Sequence, residues 1–577
     1  MVGVASAEER LLALRGGASG DAVGGDAGWL SILPPLVALG ASVALKQVIV
    51  ALLLGVWAGC AVLNRGKPLL SGLQVFDKYL VDALADKEHA GVLLFTLVLG
   101  GTIGIVQRAG GGVGLAKLLT SYLTSASRCL ASAYALCCMI FFDDYSSVLI
   151  VGSSLRPVLP SLGVPPERLA IIVHTMGVVL ASYSPVSSWI GLQLGYVAGV
   201  YKQLGSETDP FVATMSTLPY RFFPAMMFVL IPILLLLKKD IGPINGYLLP
   251  AEQEGSDAGG SDADVVFNME GAAAEDMDGP LAPKPDVPHR AINALLPFGT
   301  IAIATFGGML IDGAVKLRVK TPDAVLTLVG MLGESDSIAA LIWASTLGWV
   351  VSMALVLSQG VLDLTEAMDA WIEGMKDVIA PMIVLLLAWS LGDVIGKAKA
   401  ADFLARSLDS SLPKWSLPAL VSVLAHVISY ACGSSFGTMG IILPLVGPLA
   451  RKIGGDDEQF LRHCIGSVLG GALFGNICSP ISDTTILTVL ATKCDLNAHV
   501  ATITPYALLG AAVALGLGSI PVGLGLYGPL FALLLSTAAL AAIVAFKGED
   551  SSPVAVPIIE PPETTETTEP AEPASVV

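Results

Sequence analysis

The sequence predicts an all-α polytopic membrane protein with roughly 10 to 13 spans, built as two inverted repeats with discontinuous helices and re-entrant hairpins. Three observations support this fold class. Of the 577 residues, 54% are hydrophobic and 14% are charged, and the mean hydropathy is +0.75. Soluble domains carry about 25% charged residues. The apolar runs have the length of membrane spans, and two kinds of polar interruption occur once in each half of the chain.

The formal net charge of -17 is concentrated in two segments. Many of the acidic residues lie between Asp240 and Asp286, and most of the others outside the membrane body lie between Glu549 and Glu572. We therefore expect residues 240–290 to be a flexible acidic linker and residues 547–577 to be a disordered acidic tail. The membrane body itself is almost electrically balanced, and nothing in the composition indicates nucleic-acid binding.

The remaining segments follow in order along the chain. Residues 1–28 are an N-terminal tail without the basic-then-apolar order of a cleaved signal peptide, so the first membrane helix is expected to direct insertion. Residues 29–239 form the first membrane half, with repeat 1 at about 73–239. Residues 291–546 form the second membrane half, with repeat 2 at about 363–546. The protein is thus predicted to be an integral, multi-pass membrane protein with the lipid bilayer as its surroundings.

The polar interruptions are duplicated. The Ser-Ser pair at Ser146 recurs at Ser434, and the Ser-Pro-Val-Ser block 184–187 recurs as Ser-Pro-Ile-Ser at 479–482. A proline flanked by serines breaks a helix and leaves backbone groups without their intrahelical partners. Such backbone is tolerated at membrane depth only where it lines a cavity or a binding site. The duplication therefore predicts a transport pathway built from two related halves.

Two adjacent acids, Asp143 and Asp144, lie in the middle of an apolar field. A carboxylate at the centre of a membrane helix costs about 2.5 to 3.5 kcal/mol on insertion scales, so the pair needs a compensating role. One interpretation is a proton or cation site. The alternative is that the pair marks a membrane boundary, at the end of the helix that begins near Cys129.

Hydroxyl groups cluster at the duplicated interruptions, where they and freed carbonyls can replace the hydration shell of a small cation. The alternative is that these hydroxyls bond to their own helix backbone. The candidate ion- or substrate-binding residues are Ser146, Ser147, Ser184, Ser187, Ser434, Ser435, Thr438, Asn476, Ser479, Ser482, Asp483 and Thr484.

Four acids are candidates for proton coupling. Asp483 is the acid of the second Ser-Pro block, and Asp393 follows an apolar run, where it is equally compatible with a cap at the interface. The proton-coupling candidates are Asp143, Asp144, Asp393 and Asp483. A Na+ site is expected among Asp144, Ser147, Ser435 and Asp483. Two histidines in apolar runs, His174 and His426, are better explained as hydrogen-bond partners in the bundle than as proton relays.

An enzyme is a remote alternative. Residues 433–437 fit the G-x-S-x-G pattern of a nucleophile elbow, and His426 would be the base of an intramembrane serine hydrolase. An elbow needs a strand before it and a helix after it, whereas both flanks here are predicted to be membrane helices. We therefore expect a transporter rather than an enzyme.

With these residues in view, the sequence resembles the NhaC-type Na+/H+ antiporter family, within the superfamily of inverted-repeat ion transporters. The resembling segments are Phe141–Tyr145, Leu149–Gly152, Arg156-Pro157, Ser184–Gly191 and Cys478–Leu487. The resemblance implies exchange of Na+ for H+ by alternating access, with these ions as cargo and no cofactor. Related transporters are often dimers, so the resemblance also implies a homodimer.

Two departures from the family pattern leave the substrate open. This chain has Asn476-Ile477 where similar proteins often have Asp-His, and Ser147 where many have Asn. Some family members are thought to carry organic solutes with sodium. A Na+-coupled transporter of a small organic solute, such as an amino acid or a carboxylate, is therefore the alternative function.

Overall fold

A computed structural model of the chain describes residues 28–45, 47–65, 67–117, 125–244, 279–285, 287–320, 326–408 and 413–550. Almost all of the expected N-terminal tail, residues 245–278 and 286 of the expected linker, and residues 551–577 of the expected tail lie outside the described residues. Within the described part, helices dominate and only one two-stranded pairing occurs, which confirms the all-α membrane fold class. Nine described helices are long and apolar enough to cross a membrane, or up to 11 spans with the bent pairs.

The helices of the first half are α1 (Leu33–Leu45), α2 (Val48–Leu63), α3 (Pro68–Gln74), α4 (Val81–Ala85), α5 (Lys87–Arg108), α6 (Gly111–Lys117), α7 (Ala126–Met139), α8 (Asp144–Leu155), α9 (Pro166–Tyr183), α10 (Ile190–Gln203), α11 (Pro210–Ser216) and α12 (Phe222–Leu237). A π-helical segment, Val75–Leu80, joins α3 to α4. Strand β1 (Lys239–Asp240) ends this half.

The helices of the second half are α13 (Ile292–Lys320), α14 (Leu328–Glu334), α15 (Ser337–Ser358), α16 (Leu364–Lys397), α17 (Ala400–Leu408), α18 (Leu417–Cys432), α19 (Ser435–Gly454), α20 (Glu458–Gly471), α21 (Leu473–Cys478), α22 (Asp483–Thr492), α23 (Leu496–Val513), α24 (Ile520–Gly523) and α25 (Pro529–Lys547). A π-helical segment, Ala514–Ser519, joins α23 to α24. Strand β2 (Glu549–Asp550) pairs antiparallel with β1.

Corresponding helices of the two halves cross the bundle in opposite directions. Helix α5 packs along α16. Arg108, at the end of α5, donates a hydrogen bond to the Ala282 carbonyl at 2.6 Å. Lys284, two residues further along that segment, forms a 2.7 Å ion pair with Glu366 at the start of α16. The end of α5 and the start of α16 therefore lie on the same face of the bundle, as an inverted repeat requires.

The other face of the bundle carries the start of α5. Asp86 caps this helix by accepting hydrogen bonds from the N–H groups of Glu88 and His89, and it pairs with Lys202 at the end of α10. The neighbouring Tyr201 hydroxyl donates to Glu458 at the start of α20. Helices α5 and α20 thus begin on the face where α10 ends.

Four helix breaks occur at corresponding places in the two halves. They separate α7 from α8, α9 from α10, α18 from α19, and α21 from α22. The half-helices that follow these breaks pack in pairs across the two halves. Helix α8, after the first break of the first half, contacts α22, after the second break of the second half. In the same way, α10 contacts α19. This reciprocal packing brings the polar breaks of both halves to the middle of the bundle.

Local chemistry explains where the breaks fall. Asp143 caps α8 by accepting a 2.8 Å hydrogen bond from the N–H of Ser146, and Ser434 caps α19 by accepting from the N–H of Gly437. Gly433 ends α18 in the left-handed region, with φ of 66°, which a residue without Cβ adopts at little cost. At the other two breaks a Ser-Pro step ends the helix, because the residue before a proline is displaced from helical geometry.

The described ends of the acidic segment 240–290 make specific contacts. Asp240 forms a buried ion pair with Arg168 at 2.5 Å, and Lys284 pairs with Glu366. The segment is therefore attached to the membrane body at both ends.

Candidate ion-binding site

One cavity of about 60 Å³ lies where the four breaks meet. A water molecule needs about 10 to 15 Å³ of such space, so the cavity has room for about four water-sized particles. Helices α5 and α16 close one side of it, and residues of all four breaks form the rest. Its lining residues are Gly100, Ile103, Asp143, Asp144, Tyr145, Ser188, Trp189, Leu192, Gly374, Asp377, Val378, Pro381, Ser434, Ser435, Phe436, Asn476, Asp483 and Thr484.

Asp144 is the first residue of α8 and is held from two other elements. Its side chain is almost entirely buried, with the residue 4% exposed. The indole N–H of Trp189, in the break between α9 and α10, donates to Asp144 Oδ1 at 3.0 Å. The hydroxyl of Thr484, in α22, lies 3.4 Å from Asp144 Oδ2.

Asp483 is the first residue of α22 and faces the same hydroxyl. Its Oδ1 lies 3.4 Å from Thr484 Oγ1 and accepts a 2.8 Å hydrogen bond from the Thr484 backbone N–H. Its Oδ2 accepts a hydrogen bond from the hydroxyl of Tyr145 in α8. One acid from each half of the chain therefore flanks a single hydroxyl group.

The oxygen spacing at this point suits a cation. Na+ is nearly the size of Ca2+, whose oxygen ligands lie at about 2.3 to 2.6 Å from the ion. Two ligand oxygens at right angles around such an ion lie about 3.3 to 3.7 Å from each other. Both carboxylates lie 3.4 Å from the Thr484 hydroxyl oxygen, within that interval. The hydroxyl has one proton and can donate it to one carboxylate at a time, so its oxygen retains lone pairs for a cation.

Asp143 lines the cavity but is engaged in capping. Its Oδ2 accepts hydrogen bonds from the N–H and the hydroxyl of Ser146, at 2.8 and 2.6 Å. Gln107 of α5 donates in turn to the Ser146 hydroxyl. The two adjacent acids thus have different surroundings, since Asp143 fixes the start of α8 whereas Asp144 reaches the second half of the chain.

The hydroxyls at the start of α19 bond to backbone carbonyls. Ser435 donates to the Ala472 carbonyl at 3.0 Å, and Thr438 donates to the Ser434 carbonyl at 2.8 Å. Ser434 and Ser435 line the cavity, whereas Thr438 lies one turn behind it. Because Ser435 gives its proton to a carbonyl, its oxygen lone pairs remain available to a cation.

Three serines of the Ser-Pro blocks hold the breaks together rather than line the cavity. Ser184 donates to the Val186 carbonyl at 2.9 Å, and Ser187 donates to the Ala181 carbonyl at 2.6 Å. Ser479 donates to the Tyr430 carbonyl at 2.8 Å, which attaches this break to α18. The bonds from Ser187 and Ser479 satisfy carbonyls in the last turns of α9 and α18, which have no intrahelical partner.

The remaining polar candidates lie beside Asp483 or behind the cavity. The hydroxyl of Ser482 lies 3.4 Å from both Asn476 Oδ1 and Asp483 Oδ1. Ser147 does not line the cavity, and its buried hydroxyl, near the Cys137 thiol, has no hydrogen-bond partner among the described residues. Asn476 lines the cavity with its side chain next to Ser482.

The structure does not bring Asp393 to the cavity. It lies near the end of α16, its side chain is 42% exposed, and it forms a 2.6 Å ion pair with Lys397 one turn later. This is the arrangement of an acid at the membrane interface, the alternative that the sequence left open.

Three residues of the site, Trp189, Tyr145 and Asp377, were not candidates in the sequence analysis. Trp189 and Tyr145 lie directly beside predicted interruptions. Ser188, which belongs to the first cluster of Ser-Pro hydroxyls, lies in the cavity wall, and its buried hydroxyl has no hydrogen-bond partner among the described residues. Asp377 of α16 also lines the cavity. An acid four residues before Pro381, at the start of an apolar run, was the sequence signal for it.

A buried arginine braces the break between α9 and α10. Arg221 is fully buried and donates to the Ser182 carbonyl at 3.0 Å and to Gln193 Oε1 at 2.8 Å. Its Nε donates to the Thr217 hydroxyl at 3.0 Å. The guanidinium thus connects both half-helices of this break to the start of α12.

The buried histidine of α9 is a hydrogen-bond partner within the bundle. His174 Nε2 lies 2.9 Å from the Asn476 carbonyl, which accepts only, so this nitrogen carries the proton. In a neutral ring Nδ1 then accepts from His499 Nε2, which lies 2.9 Å away. His426, the base of the hydrolase alternative, packs against the rings of Phe223 and Phe474.

The Gly433–Gly437 pattern does not form a nucleophile elbow. Helix α18 precedes it and helix α19 follows it. An elbow requires a strand on its N-terminal side. The serine hydrolase alternative therefore has no structural support at this position.

Two solved transporter structures share the fold. The YdaH transporter of Alcanivorax borkumensis superposes with a TM-score of 0.52 at 16% identity, covering 85% of this chain and 99% of that one. MtrF of Neisseria gonorrhoeae, described as one of a class of antimetabolite efflux pumps, superposes with a TM-score of 0.52 at 15% identity, covering 82% and 84%. At these identities the likeness concerns the fold alone.

Sequence comparisons identify relatives and a family. An uncharacterized protein of Haemophilus influenzae is 25% identical over 498 residues, which are 85% of this chain and 90% of the relative. The malate-2H(+)/Na(+)-lactate antiporter of Bacillus subtilis is 28% identical over 153 residues, which are 26% of this chain and 31% of that protein. The Na+/H+ antiporter family model matches residues 183–520, more than half of the chain. This match confirms the family resemblance and the prediction that the protein is a transporter rather than an enzyme. The chain belongs to the Na+/H+ antiporter family.

Proposed function

We propose that the protein exchanges Na+ for H+ across its membrane by alternating access. One observation carries the proposal: Asp144 from the first half and Asp483 from the second lie on either side of the Thr484 hydroxyl, each 3.4 Å from it. Two carboxylates at one small cavity can be neutralised either by protons or by a cation.

Competition for these carboxylates gives the exchange. A carboxylate that has taken a proton is a poor Na+ ligand, so the site holds either protons or Na+ as it moves between the two faces of the membrane. The oxygens of Asp144, Asp483 and Thr484 are the proposed core of the Na+ site. Ser435 and Ser188 are proposed to supply neutral oxygens. Ser435 retains free lone pairs, and the Ser188 hydroxyl lacks a hydrogen-bond partner within the described part of the chain.

The half-helices support this role electrostatically. Helices α8, α10, α19 and α22 all begin at the cavity. The N-terminus of a helix carries a partial positive charge, which offsets part of the cost of burying Asp144 when no cation is bound. Discontinuous helices with their ends at a midplane site are a common design of secondary transporters.

A Na+-coupled transporter of a small organic solute is the second candidate. The local similarity to a malate-2H(+)/Na(+)-lactate antiporter favours it. The cavity of about 60 Å³ argues for a partly hydrated cation instead, because a dicarboxylate such as malate, with nine non-hydrogen atoms, would require it to widen.

The two functions separate in proteoliposomes that contain a trapped pH dye. Pulses of NaCl, but not of choline chloride, should change the internal pH, and the change should reverse sign with the Na+ gradient. Asp144→Asn and Asp483→Asn should abolish it, whereas Asp393→Asn, which removes an equal charge from an exposed ion pair, should leave it intact.

Absence of a Na+-dependent pH change in the wild type, in both gradient directions, would exclude the exchange of Na+ for H+. Uptake of radiolabelled lactate or malate driven by a Na+ gradient would then support the second candidate.

A further inference from the structure

A second cavity, of about 170 Å³, lies apart from the ion site, between α7, α9 and the end of α12. Most of its wall is aliphatic. The aliphatic side chains are Leu130, Ile171, Ile172, Ile231, Leu234 and Leu235. An apolar cavity of about 150 Å³ stays dry and accepts an apolar ligand. This cavity is therefore suited to a hydrocarbon rather than to water.

The charged residues of the same cavity are concentrated at one end. Arg168 and Asp240 form a buried ion pair at 2.5 Å, and Tyr506 donates to Asp240 Oδ1 at 3.2 Å. Lys238 is exposed beside them and lies in the left-handed region, with φ of 52°, at the end of α12. Among the residues that line the cavity, two cations and one anion leave one net positive charge at this end. Lys239, Glu549 and Asp550 of the paired strands lie nearby but do not line it.

The charged end lies where α12 leaves the membrane. The apolar run of this helix ends at Leu237, and Leu236 and Leu237 are 81% and 40% exposed, as expected for side chains in contact with lipid. Lys238 is the first charged residue after the run. The aliphatic part of the cavity thus extends from the headgroup level toward the hydrocarbon layer.

We propose that this cavity binds one anionic phospholipid, with the start of an acyl chain between α7, α9 and α12 and the phosphate beside the Lys238 ammonium. Basic positions between helices at a membrane face are suited to anionic headgroups. The Arg168–Asp240 pair forms the floor of the headgroup region and fixes α9 to the end of α12. This proposal is independent of the ion that the protein carries.

Native mass spectrometry of the full-length protein in detergent tests the proposal. The protein is titrated with phosphatidylglycerol or with phosphatidylcholine of identical acyl chains. The wild type should retain one phosphatidylglycerol molecule more tightly than phosphatidylcholine. Lys238→Asn, which keeps a residue that tolerates the left-handed conformation, should weaken phosphatidylglycerol retention about fivefold.

Two further variants separate the headgroup from the tail. Ile172→Trp, which fills the aliphatic cavity, should reduce retention of both lipids while Lys238 is intact. Lys493→Asn is the matched control, because Lys493 also ends a helix in the left-handed region, with φ of 54°, but does not line this cavity. It should leave retention unchanged.

The proposal would be overturned if the wild type retained both lipids equally. It would also be overturned if Lys238→Asn and Lys493→Asn lost phosphatidylglycerol to the same extent, because the lipid would then be attracted by the basic surface in general. Competition by millimolar inorganic phosphate would overturn it in favour of a free-anion site. Melting temperatures of all variants are measured in parallel, and Lys238→Gln replaces Lys238→Asn if the latter unfolds.

Discussion

Tyr145 of the first half donates a hydrogen bond from its hydroxyl to Asp483 of the second half. These residues lie in the first turns of α8 and α22, and the two helices pack side by side and run parallel. Further along, Gly152 of α8 approaches α22 so closely that a Cβ there would lie 2.9 Å from the Ala491 Cβ. The acids at the ion site are thus held at a close contact between the two halves.

The shared hydroxyl should contribute to Na+ affinity. Thr484→Val keeps the shape of the side chain and removes one oxygen, so we expect the Na+ concentration for half-maximal exchange to rise about tenfold. Thr488→Val is the control, since this hydroxyl is equally buried but bonds to the Thr484 carbonyl at 2.7 Å. Equal effects of both variants would show that helix packing, rather than ligation, is being measured. The readout is the Na+ dependence of the initial rate of proton flux.

The Tyr145 hydroxyl should hold Asp483 in position for Na+. It donates from α8 to Asp483 Oδ2, so Tyr145→Phe removes the hydrogen bond that joins this carboxylate to the first half of the chain. We therefore expect the half-saturating Na+ concentration in Tyr145→Phe to rise about threefold. Tyr527→Phe removes a hydrogen bond to a carbonyl that does not line the cavity and should leave this concentration unchanged. Equal Na+ affinity in Tyr145→Phe and the wild type would contradict this assignment.

Asp377 should tune the site rather than carry ions. It lines the cavity from α16 but forms no hydrogen bond with Asp144 or Asp483 among the described residues. We expect Asp377→Asn to raise the half-saturating Na+ concentration about threefold and to preserve the maximal rate of exchange. The effect is small because the Asp377 charge attracts Na+ only across partly solvated space. Complete loss of exchange in a folded Asp377→Asn protein would make Asp377 a member of the ion site.

Arg221 should stabilise the break between α9 and α10. Arg221→Met leaves the Ser182 carbonyl and the Gln193 amide without this donor in a buried place, and each such group costs about 1 to 3 kcal/mol. We therefore expect a clear fall in the thermal unfolding temperature in detergent, with a smaller fall in Arg221→Lys. Arg451→Met, at a partly exposed ion pair, should have little effect. An unchanged unfolding temperature in Arg221→Met would contradict the bracing role.

Local chemistry made much of this architecture predictable. The breaks were visible because Pro185 and Pro480 lack the N–H that a continuous helix needs, and because adjacent aspartates are costly in a membrane. The duplication of these signals indicated two related halves. For Asp393 the sequence left a position at the interface open, and the ion pair with Lys397, four residues later on the same helix, agrees with that alternative.

The hydrogen bonds across the cavity could not be predicted from local sequence patterns. Whether Trp189 donates to Asp144, or Tyr145 to Asp483, depends on how α8, α10 and α22 pack, and no local pattern encodes this packing. Asp377 was overlooked because its contact with the cavity depends on the packing of α16 against the breaks.

The most direct test of the central claim is proton release on Na+ binding. Purified protein in weakly buffered detergent solution is mixed with NaCl, and bound 22Na+ and released protons are measured together. If Na+ and protons compete for Asp144 and Asp483, binding should release protons in the wild type and in Asp393→Asn, and both signals should disappear in Asp144→Asn. Na+ binding without proton release at every pH between 6 and 9, or undiminished release in the double variant Asp144→Asn/Asp483→Asn, would contradict the account.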